Sequence, residues 1–152
     1  MGLSIVTGRR LMTEDAVHVV HRFVDRLSAK DWDAFATTLH EDVERVGPYA
    51  DVVSGRSRYV EFLAGVLEGQ PDYALVMRRV TWSADQRVAF AEVTERVVVD
   101  GRLMEYPEVL AFELDTAGLI TRVGVYTMRP GSAASRHADR FFEQRGEARA
   151  RE

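Results

Sequence analysis

The sequence predicts an α+β domain: a cone-shaped, curved antiparallel sheet with three N-terminal helices packed on its concave face. Three observations predict it. Apolar residues recur at helical spacing through the first half of the chain, whereas Tyr73 to Met128 is rich in β-branched and aromatic residues in alternating runs. Two turn signals, Asp100-Gly101 and Asp115–Gly118, divide the latter part of that stretch into long strands.

The first helix is expected over Thr13–Ser28, with Thr13 as N-cap and Glu14 and Asp15 complementing the helix dipole. Ala16, Val17, Val19, Val20, Phe23, Val24 and Leu27 share one face, which belongs on the sheet. His18, His21 and Asp25 fall opposite, where an i,i+4 pair on a solvated face accounts for them better than a metal site. A second helix is expected over Asp31–Leu39, capped by Asp31, with Trp32, Phe35, Ala36 and Leu39 inward. Val43 to Gly47 reads as a short strand ended by Pro48, and Tyr49 to Val53 turns back along it. A third helix starts near Arg56, turns Tyr59, Val60, Phe62, Leu63, Val66 and Leu67 inward, and stops at Gly69-Gln70-Pro71.

Tyr73 to Trp82 is the next strand, followed by the three-stranded meander from Arg87 to Met128. In its first strand the odd positions Ala91, Val93, Glu95, Val97 and Val99 form the more apolar face. In its second the even positions Met104, Tyr106, Glu108, Leu110, Phe112 and Leu114 do so. That parity places two carboxylates, Glu95 and Glu108, among apolar neighbours. If Val43 and Gly47 face inward, Arg45 joins them. Desolvation raises a buried carboxylate's pKa and a guanidinium opposes the rise, so one glutamate can be ionised while the other is protonated. Glu108, Glu95 and Arg45 are therefore the candidate catalytic residues, and Phe23, Tyr49, Val93, Tyr106, Leu110, Val125 and Thr127 the candidate substrate-binding ones. An Arg–Glu pair that bridges the short hairpin to the sheet is the structural alternative, and one β-bulge would invert the parity.

The chain has 152 residues, room for one domain: residues 1–12 as an N-terminal extension, 13–130 as the domain and 131–152 as a charged C-terminal tail with helical potential. In the tail, Phe141 and Phe142 are the residues that would dock a terminal helix. A formal charge of −4, from 20 basic and 24 acidic residues, argues against nucleic acid or an anionic membrane as partner. There is no cysteine, no long apolar span and no basic leader, which together predict a cytoplasmic protein. No phosphate loop or metal-ligand spacing occurs, so no cofactor and no metal are expected.

Several short stretches carry a family resemblance: Lys30-Asp31-Trp32-Asp33-Ala34, His40-Glu41-Asp42-Val43, Pro48, Ser54-Gly55-Arg56 and Asp115-Thr116-Ala117-Gly118-Leu119-Ile120. Through them Thr13–Gly55 and Arg87–Met128 resemble the nuclear-transport-factor-2-like superfamily of SnoaL-like and ketosteroid-isomerase-like cone folds, which also includes polyketide cyclases and limonene epoxide hydrolases. The resemblance implies a cavity between sheet and helices. The isomerases work with a carboxylate base and two oxyanion donors, a tyrosine and a protonated aspartic acid. At the matching positions this chain has Gly47, Phe23 and Leu110, so isomerisation by that mechanism is not expected. Of the epoxide hydrolases' arginine and two aspartates only Arg96 is matched, the others being Val98 and Val125. The cyclases' acid on the last strand is likewise replaced, with Val123, Val125 and Thr127 on that face. The expected function is a pocket protein for a hydrophobic small molecule. It is either an acid/base enzyme of cyclase, hydrolase or isomerase class on an apolar or polycyclic carbonyl compound, or a non-catalytic binder. A homodimer through the outer sheet face, by Phe90, Thr94, Arg96, Val98, Val109 and Ala111, is the third reading and is compatible with both.

Overall fold

The computed structural model of the protein describes residues 11–128. The charged tail, with Phe141 and Phe142, and most of the N-terminal extension lie outside the described residues. The element order is α1 (Thr13–Ser28), α2 (Trp32–Ala36), β1 (Leu39–Val46), β2 (Val52–Ser54), α3 (Arg56–Val66), β3 (Ala74–Ser83), β4 (Val88–Val99), β5 (Arg102–Leu114) and β6 (Ile120–Thr127). The strands form one six-stranded curved sheet in the order β2-β1-β6-β5-β4-β3, with the helices on its inner face. The expected antiparallel pairing holds throughout except between β1 and β6, which run parallel. The chain between them makes a crossover through α3 and the meander, so the first long strand closes beside the last.

Helix α1 buries Ala16, Val20, Phe23, Val24 and Leu27, the predicted stripe. Its cap differs from expectation: Met12 holds the extended N-cap conformation without a side-chain hydrogen bond, and Thr13 is already helical. Ser28 ties the other end to the sheet, because its Oγ accepts the Leu75 N–H at 2.9 Å. Helix α2 is shorter than predicted. Asp31 caps it by accepting the Ala34 N–H, but it ends at Ala36, and Leu39 opens β1 rather than continuing the helix. Competing hydrogen bonds explain the early stop: the Thr37 and Thr38 hydroxyls turn back to the carbonyls of Ala34 and Phe35. The Ile120 N–H then takes the Thr38 carbonyl, committing the chain to the sheet.

The core is aromatic at its centre. Phe23 meets Phe35 at 4.8 Å and Phe112 at 4.9 Å between ring centroids, and Phe35 stands edge-on to Tyr59. Trp32 packs edge-on against Phe35 as core filler. Tyr59 and Leu63 of α3 and Leu67 just after it are buried, while Val66, expected inward, is 55% exposed.

The β4–β5 ladder is what keeps the parity. It runs without a register shift from Val88↔Glu113 to Val99↔Arg102, closed by Asp100 and Gly101 at φ 50° and 73°. Both positive angles are what a tight turn between twisted strands requires. Irregularities fall elsewhere: between Met77 and Arg79 in β3, between Leu39 and Glu44 in β1, and near Glu113 in β5. Ala91 and Val93 on β4, and Tyr106, Glu108, Leu110 and Phe112 on β5, are accordingly buried.

Candidate functional site

At the open end of the cone is a cavity of about 230 Å³. Its apolar walls come from α1 (Phe23, Leu27), α3 with the residue after it (Phe62, Leu63, Val66, Leu67), β3 (Leu75), β5 (Leu110) and β6 (Val125). Its polar groups are Arg45 from β1, Asp51 from the β1–β2 turn, Tyr59 from α3, Tyr73 just before β3, Glu95 from β4 and Glu108 from β5. Pro48 and Tyr49 form the rim.

Each predicted catalytic residue lines this space. Arg45 is buried on the same face as Val43 of β1 and Gly47 just after it, while Glu44 and Val46 between them are only partly covered. Its Nη1 donates to Asp51 Oδ2 at 2.9 Å, and its guanidinium lies 4.8 Å from the centre of the Phe62 ring. Glu108 is buried and Glu95 half-buried. In the ladder Val93 opposes Glu108 and Tyr106 opposes Glu95, so the two glutamates are diagonal neighbours on one face.

Of the predicted binding residues, Phe23, Tyr49, Leu110 and Val125 line the cavity, Tyr49 at the rim with 81% of its surface exposed. The other three are placed elsewhere. Val93 is fully buried in the core beside the cavity floor. Tyr106 lines a shallow depression at the β4–β5 hairpin with Val99, Asp100, Arg102 and Met104. Thr127 lines another with Pro48, Val109, Val125, Tyr126 and Met128, its Oγ1 buried without a hydrogen-bond partner among the described residues. Facing inward was not sufficient for lining the cavity: Val93 is enclosed by the core.

Sequence reasoning missed Asp51, and took Tyr59 and Phe62 only as core and Tyr73 only as the start of a strand. The Arg45–Asp51 pair had one legible signal: the two residues are six apart, on either side of a proline turn. Gly47 is the third member of that arrangement. A Cβ there would run into Asp51 Oδ1 and Arg45 Nη1, the ends of the two side chains, so the ion pair folds across the space that this glycine leaves.

The tyrosine hydroxyls report how the charges converge. Burial pushes the Tyr73 hydroxyl far above its ordinary pKa, and the charges of Glu95 and Glu108 push it further, so both carboxylates act on one point. Burial likewise raises Tyr59, with Arg45 opposing the rise and Glu108 adding to it. Both hydroxyls remain protonated donors at neutral pH. For Asp51, burial acts upward, but the Arg45 hydrogen bond, its backbone N–H contacts and the guanidinium charge outweigh it and hold the carboxyl below its ordinary value. Such a group is ionised at neutral pH. The cavity thus offers carboxylates, protonated hydroxyls and one cation within an apolar wall, a set that can bind a small molecule and move protons on it.

Solved structures share this architecture. An LEH-like epoxide hydrolase from M. tuberculosis superposes with a TM-score of 0.67 at 20% identity, over 76% of this chain and 84% of its own. A protein described as a SnoaL-like polyketide cyclase from Jannaschia sp. CCS1 gives 0.67 at 18% identity, over 84% and 90%. A protein with a ketosteroid isomerase-like fold from Catenulispora acidiphila, solved in complex with trimethylamine, gives 0.64 at 13% identity, over 71% and 83%. At these identities the likeness is one of fold. No curated protein sequence matches the chain. The family comparison covers most of the same architecture: residues 20–123 match the SnoaL-like domain, and the chain belongs to that family.

Proposed function

We propose that the protein binds an apolar carbonyl compound in this cavity and acts on it as an acid/base enzyme of cyclase, hydrolase or isomerase class. The observation that carries the reading is the meeting of Glu95, Glu108 and Tyr73 in one cavity whose walls are largely apolar. One glutamate removes a proton next to the ligand carbonyl while the other, protonated, delivers one to the oxygen, so that the proton count balances within the site. Phe23, Leu110 and Val125 hold the apolar body of the ligand, with Tyr49 at the entrance. A volume of about 230 Å³ lies below the ~300 Å³ at which pockets for drug-sized ligands begin, which favours a compact ligand. A polycyclic one would extend past Tyr49 into the solvent.

Neighbours of the same fold that are described as cyclases and an epoxide hydrolase support small-molecule chemistry in this setting. The test is a thermal-shift screen of cyclic ketones, followed by turnover assays of those that bind. Glu108→Gln is expected to abolish turnover while keeping the melting temperature within a few degrees. Equal loss of fold and activity, or no ketone raising the melting temperature, would sink the reading. A second reading, non-catalytic binding of a hydrophobic metabolite, is favoured by Gly47 at the position where isomerases carry their base. It is separated from the first by ligands that bind and are recovered unchanged. We further propose that two copies pair through the outer sheet face in a compartment such as the cytoplasm, with no cofactor, nucleic acid or membrane needed.

A further inference from the structure

We infer that Tyr59 and Tyr73 together hold the carbonyl oxygen of the ligand, each donating its hydroxyl proton to one of the two lone pairs. The inference rests on the small-molecule reading above and assigns the groups that bind the oxygen in it. Tyr59 comes from α3 and Tyr73 from the segment just before β3, and both line the cavity. They are buried, at 2% and 9% exposure, and among the described residues neither hydroxyl donates a hydrogen bond. Buried hydroxyls are ordinarily partnered, so two that open into one cavity mark a place for an acceptor.

Their surroundings direct the two protons. Arg45 hydrogen-bonds the Tyr59 oxygen, and because a guanidinium has only donors, the Tyr59 proton is turned away from it. Glu95 and Glu108 act on Tyr73 through charge rather than a hydrogen bond, and the Tyr59 hydroxyl is near enough to act on it too. Both supports are firm. The Tyr59 ring stands edge-on to Phe35, with centroids 5.9 Å apart. The Tyr73 N–H donates at 3.2 Å to the Gln70 carbonyl, which also accepts from Lys30. Donors fixed before the ligand arrives need no rearrangement to meet it. A ketone oxygen suits this pair, having two lone pairs and no proton, whereas an alcohol brings a proton that needs its own acceptor. Proton removal beside the carbonyl makes an enolate oxygen with a third lone pair, which takes the proton from the glutamic acid. The tyrosines keep theirs throughout.

Cyclohexanone and methylenecyclohexane, alike in shape but with and without the oxygen, test this when titrated into the full chain and followed by protein NMR at neutral pH. Tyr59→Phe and Tyr73→Phe, which keep the rings, are each expected to weaken cyclohexanone about three- to tenfold and to leave methylenecyclohexane within about twofold. The infrared carbonyl stretch of bound cyclohexanone is expected at lower frequency than in an apolar solvent, and to move back in the double variant. Equal weakening of both probes would show that the tyrosines only shape the cavity and would overturn the inference. Cyclohexanone binding unchanged in the double variant would overturn it too, leaving the pocket reading standing. If neither probe binds the parent chain, both fall.

Discussion

A methyl group added at Gly47 would meet the ends of both members of the Arg45–Asp51 pair. Gly47→Ala is therefore expected to displace the pair and, because Asp51 is exposed, to lower stability by no more than about 1 kcal/mol. Urea unfolding measures it, and an unchanged midpoint would refute the arrangement. The pair also sets a pH dependence. The fold holds the Asp51 carboxyl below its ordinary value of 3.8, so it favours the ionised form. The resulting stabilisation is fully present above 3.8 and is lost as pH falls through the lower folded value. Asp51→Asn should accordingly be less stable than the parent at neutral pH, with the gap closing in strong acid. A gap that stays constant across the acid range would mean that Asp51 is not held by Arg45. Only the spacing of six across the proline turn hints at this pair, because Asp51 lies in a turn and turns have no period from which a direction can be read.

Between elements, the least expected contact is made by Gln70, in the connection between α3 and β3. Its Nε2 donates to the Val98 carbonyl and its Oε1 accepts the Val98 N–H, both at 3.0 Å. The β3–β4 ladder begins at Ala74 opposite Arg96, so the Gln70 amide stands in for the strand that Val98 would otherwise lack. Lys30, after α1, fixes the same residue by donating to its backbone carbonyl at 2.6 Å. Gln70→Ala leaves a backbone donor and acceptor of β4 without these partners and is expected to cost about 1–3 kcal/mol, with faster hydrogen exchange at the Val98 amide. Exchange there at the parent rate would show that the clamp is idle. The sequence marked this segment only as a helix stop. Helix faces and strand parity were legible because burial repeats at 3.6 and 2 residues. The faces of Glu95 and Glu108 were read correctly because the β4–β5 ladder has no bulge to invert them. The parallel β1–β6 pairing and the end of α2 were not legible, since the first depends on residues some 80 positions apart and the second on two hydroxyls that prefer backbone carbonyls to helix continuation.

Across the whole molecule the two faces of the sheet have different company. The inner face is covered by helices and holds the cavity, whereas the outer face has none of the described helices over it and keeps large apolar groups in the open. Phe90 is 49% exposed and Tyr126 62%. The register aligns Phe90, Ala111 and Gly124 across three adjacent strands, and the Tyr126 ring lies over Gly124, where an added Cβ would meet it at 3.2 Å. These two exposed rings with small residues between them are the feature on which the proposed two-fold pairing rests. For the proposed dimer, light scattering across a concentration series should give twice the 17.2 kDa of one chain, and Phe90→Glu with Tyr126→Glu should return it to one. Because these side chains point away from the cavity, the charged variant should bind a cyclic ketone probe as the parent does. A parent chain of single mass at every concentration would remove the dimer and leave the cavity proposals intact, whereas loss of probe binding in the monomeric variant would mean that the two faces depend on each other.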